Sequence, residues 1–168
     1  MFPILLLLLA VLASVAAIII KKKKGTAEIL ETILLFMLFF NVGIGGLIAF
    51  AGHAFRADQV AARIGWPAGS PFQFEVAVAN LAIGVIGILS VWFRRDFWLA
   101  ASIVYMVFLF GAAAGHINEM LLKGNYSEYN TGAFLFAGDI AIPLTLFILV
   151  LINRKLRSRG NSAEPEKP

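Results

Sequence analysis

Five side chains in this 168-residue chain are of types that carry chemistry: His53, His116, Glu75, Asp139 and the amide of Asn80. Two imidazoles can ligate a haem or a divalent metal, with His53, His116 and Asp139 as the metal set and Glu75 or Asp139 as a further ligand or a supporting partner. Asp139, Glu75 and His116 can equally form a vestibule or a proton relay. Cysteine is absent, which removes disulfides, thiolate metal sites, thioether-linked haem and cysteine nucleophiles. His116-Ile117-Asn118-Glu119 puts a His and a Glu at i, i+3 on one helix face, but it matches no known metal motif.

These residues need elements to hold them, and composition says of what kind. Hydrophobic residues make up 60% of the chain and charged residues 14%, against roughly 25% charged in soluble domains. A hydrocarbon core of about 30 Å takes about 20 apolar residues as helix. Five such runs are bounded by charge, at residues 1–20, 29–52, 74–92, 97–115 and 133–152. The expected fold is an all-α polytopic membrane bundle of five transmembrane helices, with no internal repeat. The net charge of +4 comes from short basic runs beside apolar stretches, which reads as topology and not as nucleic-acid binding.

Eleven of the fourteen basic residues fall on one side: Lys21, Lys22, Lys23, Lys24, Arg94, Arg95, Arg154, Lys155, Arg157, Arg159 and Lys167. Arg56, Arg63 and Lys123 fall on the other. The positive-inside bias places the first group in the cytoplasm of a cell-membrane protein, with the N-terminus outside. The first run precedes its lysines, whereas a secretory signal follows its basic residues, so it reads as a retained anchor. The expected organisation is a bundle over residues 1–155 and a disordered cytoplasmic tail over 156–168.

Placed on this frame, His53 closes the second run, Glu75 opens the third, His116 and Glu119 close the fourth, and Asp139 lies about 9 Å inside the fifth. All fall toward the outer face. His53, Glu75 and His116 sit where a polar side chain reaches water or headgroups cheaply, so an interfacial role accounts for each alone. Asp139 differs. A carboxylate in the apolar region costs up to about 3 kcal/mol, so it is expected to face the bundle interior within reach of His53, Glu75 or His116.

Local signals complete the frame. Phe55, Val60 and Ile64 alternate with Arg56, Asp58 and Arg63, the pattern of a short helix on the membrane surface, with Trp66 at headgroup level. Ser70, Pro71 and Gln73 read as N-cap, first helical position and capping-box partner. Asn125-Tyr126-Ser127 fits the short glycosylation pattern. Asn41, Gly45 and Gly52 share one face of the second helix, Ala77, Asn80, Gly84 and Gly87 one face of the third, and Gly111 and Gly115 form a small-xxx-small pair in the fourth. They read as packing seams with Asn41 and Asn80 as polar glue, open to a membrane-protein partner or to homo-oligomerisation. Pro143 removes a backbone bond beside Asp139 and is expected to kink the fifth helix.

Gly52-His53-Ala54-Phe55, Ile64-Gly65-Trp66-Pro67, Gly69-Ser70-Pro71-Phe72-Gln73 with Glu75 and Asn80, Gly115-His116, and Gly138-Asp139-Ile140 with Pro143 resemble an uncharacterised family of small multi-pass membrane proteins of bacteria and archaea. The resemblance covers residues 52–143 and leaves out the first span and the basic tail. It implies a helical membrane fold and carries no activity. Three functions stay open: a structural or accessory subunit, a haem- or metal-binding redox protein, and a small transporter or proton relay.

Overall fold

The computed structural model describes residues 2–162, with side chains through residue 158. Five apolar helices have the length to cross a membrane, with mean hydropathy of 1.9 to 3.0 over their most apolar windows. They are α1 (Phe2–Ile20), α2 (Thr26–Phe55), α4 (Phe72–Leu89), α5 (Asp96–Lys123) and α6, a π-helical Phe134–Ala141 leading into an α-helical Ile142–Ser162. The short helix α3 (Ala57–Ile64) links α2 to α4. The described residues contain no strand, and the chain is a small all-α integral membrane protein. Helix α6 runs past residue 155, where the sequence placed the start of a tail, and residues 163–168 of that tail lie outside the described residues.

The core fills the half of the bundle that carries the lysine run. Leu34, Leu38 and Val42 of α2 pack with Trp98, Ala101 and Tyr105 of α5 and with Ile142, Leu146 and Val150 of α6. At that basic end Glu31 accepts a hydrogen bond from Arg94 Nη1 at 2.9 Å and pairs with Arg157, while Asp96 pairs with Arg154. Three helix ends are thereby cross-linked by charge.

Helices α2 and α4 meet through glycine. A Cβ on Gly46 would sit 2.6 Å from the Gly84 nitrogen, and one on Gly87 would sit 2.2 Å from the Gly43 nitrogen. The α4 side is the face read from the sequence. The α2 side is not: Gly43 and Gly46 make the contact, whereas Gly45 faces Leu6 of α1. The cause is a π-helical stretch over Leu38–Ile44, whose wider turn shifts the face that later residues present. Gly111 and Gly115 have nothing within 4 Å of an added Cβ and take no part in the bundle's own packing.

The second π-helical stretch lies beside Pro143, which cannot donate a backbone bond. There the Ile142 N–H bonds the Ala137 carbonyl, five residues back. The wider turn absorbs the missing donor inside a buried helix. The chain therefore places one π-turn at Asn41 and another at Asp139.

Helix α3 buries Ala61 and Ile64 and ends on Gly65 at φ +83°. A side chain there would also sit 2.4 Å from Asn125 Oδ1, so backbone and space both call for glycine. The expected capping box does not form. Helix α4 starts at Phe72 without a side-chain cap, and the Gln73 amide instead donates to the Ala57 carbonyl at 2.6 Å, tying the start of α3 to the start of α4.

Candidate functional site

Above the core, toward the end that carries His53, the helices border a partly open cavity of about 920 Å³. Phe2, Pro3 and Leu6 of α1 form its floor. Asn41 belongs to the same level, because its amide donates to the Pro3 carbonyl at 3.3 Å. His53 follows twelve residues later on α2, about 18 Å further along the axis, so the cavity is elongated. Arg56, just before α3, and Gln59, Val60 and Arg63 of α3 line its other end as a lid. Arg63 Nη1 donates to the Tyr129 hydroxyl at 2.6 Å, and the Tyr129 amide returns a bond to the Arg63 carbonyl at 3.0 Å.

Four of the five residues singled out from the sequence line this space: His53, Asn80, His116 and Asp139. Glu75 does not; it is exposed on α4. Asn80 donates to the Val76 carbonyl of its own helix at 2.9 Å and so does not act as interhelical glue. His116 does not close its span. Helix α5 continues to Lys123, about two turns beyond it, and the imidazole is buried.

The state of that imidazole can be read from its neighbours. Asn130 Nδ2 donates to the His116 carbonyl at 3.2 Å and to the Asn125 carbonyl at 2.6 Å. These two acceptors fix which end of the amide is oxygen. Asn130 Oδ1 then faces His116 Nδ1 at 2.6 Å, and an oxygen there requires Nδ1 to carry the hydrogen. The lone pair of the neutral ring is on Nε2, which lies 3.8 Å from Asp139 Oδ2. Asp139 is thus within side-chain reach of His116, as its depth in the membrane demands.

Three buried polar atoms of this cavity, Asp139 Oδ2, Asn41 Oδ1 and His53 Nδ1, have no hydrogen-bond partner among the described residues. Buried polar groups are nearly always paired. Asn41 and Asp139 are 4% and 5% exposed, so bulk solvent does not serve them. No three His, Cys, Asp or Glu side chains among the described residues stand close enough to hold a metal ion. His116 and Asp139 are brought together; His53 lines the same cavity without completing a three-ligand set with them.

The family of unknown function DUF6790 matches residues 1–159. The chain belongs to this family. The match takes in α1 and the basic residues of α6 through Arg159, which the resemblance over residues 52–143 had left outside, and it assigns no activity. Neither a curated protein nor a solved structure matches the chain.

Sequence reasoning missed Asn130 and the cavity-lining Tyr105, whereas Asn41, read as polar glue, does bond across helices to Pro3. Asn130 sits in an aperiodic connection with no signal to mark it. Tyr105 was legible as a phenol inside the apolar run of α5. The Asn125 amide nitrogen donates to the Ile64 carbonyl at 2.9 Å and to Glu119 Oε2 at 2.8 Å, holding the lid to α5.

Proposed function

We propose that this protein binds an elongated, largely apolar small molecule in the cavity under α3, taken up on the outer side of a cell membrane. The observation that carries the reading is the pair of buried, unpartnered oxygens of Asn41 and Asp139 at the floor of a cavity of about 920 Å³. Residues that only hold a bundle together satisfy one another, because an unpaired buried acceptor costs about 1–3 kcal/mol. A ligand of mainly apolar surface with a few polar atoms is what concave sites of this size accept.

The eleven-to-three division of basic residues supports an N-terminus outside and a C-terminus in the cytoplasm. In that orientation α3 lies at the outer headgroup level, and Arg56 and Arg63 stand over the cavity mouth. The structural-subunit reading leaves the floor unexplained. A transport pathway finds little to use in the inner half, which is filled by the apolar core.

Native mass spectrometry of the full chain in mild detergent, with dodecanol added, tests the reading. A saturable one-to-one adduct is expected, and Ala112→Phe, which projects a ring into the cavity from α5, should remove it while the protein stays folded by circular dichroism. An adduct that forms equally well with Ala112→Phe, or no adduct with either dodecanol or dodecylamine, refutes the cavity as a binding site.

A further inference from the structure

Resting on that reading, we infer that the floor of the cavity selects a primary amine, whose ammonium head donates to His116 Nε2 and Asp139 Oδ2 together. Asn130 commits His116 Nδ1 as a donor, so Nε2 of the neutral ring is an acceptor facing a carboxylate oxygen, another acceptor, at 3.8 Å. That separation is too long for a direct hydrogen bond. It is short enough for one nitrogen to stand about 2.9 Å from both atoms, the ordinary length of an N–H···O or N–H···N bond. An ammonium has three N–H donors. Two meet the dyad, and Asn41 Oδ1 is a further unpartnered acceptor lining the same cavity.

Placement supports the same head group. Asn41 bonds the Pro3 carbonyl at 3.3 Å, and the Pro3 ring lies 3.3 Å from where a Cβ on Gly138 would be, next to Asp139 in the chain. Asn41 and the backbone next to Asp139 therefore both touch Pro3 of α1. Charge decides between donors. With neither group holding an extra proton, the dyad carries one net negative charge in a low-dielectric setting, and one cationic donor neutralises it. A hydroxyl offers a single hydrogen and no charge. Arg63 Nη1 is bonded to the Tyr129 hydroxyl, and neither Arg56 nor Arg63 makes an ion pair with Asp139 among the described residues. The lining between the two ends is apolar, which suits a hydrocarbon chain.

Three C12 probes separate the terms: dodecylamine, dodecanol and dodecyltrimethylammonium, the last carrying charge without N–H donors. Each is titrated against the full-length protein in lipid nanodiscs, and one-to-one complexes are counted by native mass spectrometry. Dodecylamine is expected to bind at least tenfold more tightly than either of the others, and Asp139→Asn should bring the three to within about twofold. His116→Gln keeps a neutral polar group of similar reach and should weaken the amine alone. Equal binding of amine and alcohol to the natural protein overturns the inference while leaving the cavity reading in place. Tight binding of the trimethylammonium probe overturns it as well, since charge without donors would then suffice. Failure of all three to bind overturns both.

Discussion

Asn130, a residue of the loop between α5 and α6, sets the orientation of an imidazole buried in α5: its Oδ1 is 2.6 Å from His116 Nδ1, and its Nδ2 returns to the His116 carbonyl. The consequence runs inward. By holding the hydrogen on Nδ1, a loop amide leaves Nε2 as the atom presented to Asp139. The polar floor of the cavity is thus governed from outside the helices that form it.

Removing that amide should be felt both as stability and as tautomer. Asn130→Ala strands the Asn125 carbonyl and His116 Nδ1, at about 1–3 kcal/mol for each buried group left without a partner. A clear drop in thermal unfolding temperature in detergent is expected. Nitrogen-15 NMR of labelled histidine should find the Nδ1–H form of His116 in the natural protein and a loss of that preference in the variant. An unchanged His116 spectrum would remove Asn130 from its assigned role.

The glycine contact makes a sharper comparison. Gly46→Ala and Gly87→Ala each drive a methyl into backbone at 2.6 Å and 2.2 Å, contacts that side-chain rotation cannot relieve. Overpacking of this kind costs about 1–3 kcal/mol or more. Gly111→Ala and Gly115→Ala meet nothing within 4 Å and should leave stability within about 0.5 kcal/mol. Unfolding temperatures of the four variants check both halves. Equal effects would mean that α2 and α4 do not approach as described.

What was legible in the sequence follows from what the membrane itself enforces. Length and hydropathy located all five helices, because a bilayer admits few other arrangements of so apolar a chain. The depth of Asp139 required an inward-facing partner, and His116 is there. Two things were not legible for one physical reason. The π-turns at Leu38–Ile44 and Phe134–Ala141 change the helical register, so a face drawn at i, i+4 chose Gly45 where Gly43 and Gly46 make the contact. Pro143 was the visible cause of one such turn, though a missing donor alone does not say whether a helix kinks or widens. Glu75 was grouped with the histidines by depth, but depth does not fix azimuth, and its side chain faces away from the cavity.

The lid should loosen selectively. Tyr129→Phe deletes the hydroxyl that accepts from Arg63, and Gln73→Leu deletes the amide that holds the Ala57 carbonyl. Neither touches the core of the basic end. Hydrogen exchange followed by mass spectrometry should therefore rise in α3 in both variants, most in the double variant, with α2 and α6 unchanged near Leu34 and Leu146. Exchange that rises throughout the bundle, or not at all in α3, would contradict the assignment of these two bonds as the lid's ties.

Orientation can be settled with single cysteines, since the natural chain has none and every label is then informative. Asp58 is exposed on α3, and Lys24 is exposed in the turn between α1 and α2, at opposite ends of α2. If the eleven-to-three basic division sets topology, Asp58→Cys in intact cells reacts with an impermeant maleimide, and Lys24→Cys reacts only after the membrane is opened. The second substitution removes one of eleven positive charges and leaves the asymmetry in force. The reverse pattern would put the cavity mouth in the cytoplasm, and with it the side from which a ligand is drawn. It would leave the His116–Asp139 dyad and its preference for an amine untouched, because both depend on distances inside the bundle and not on which face is outside.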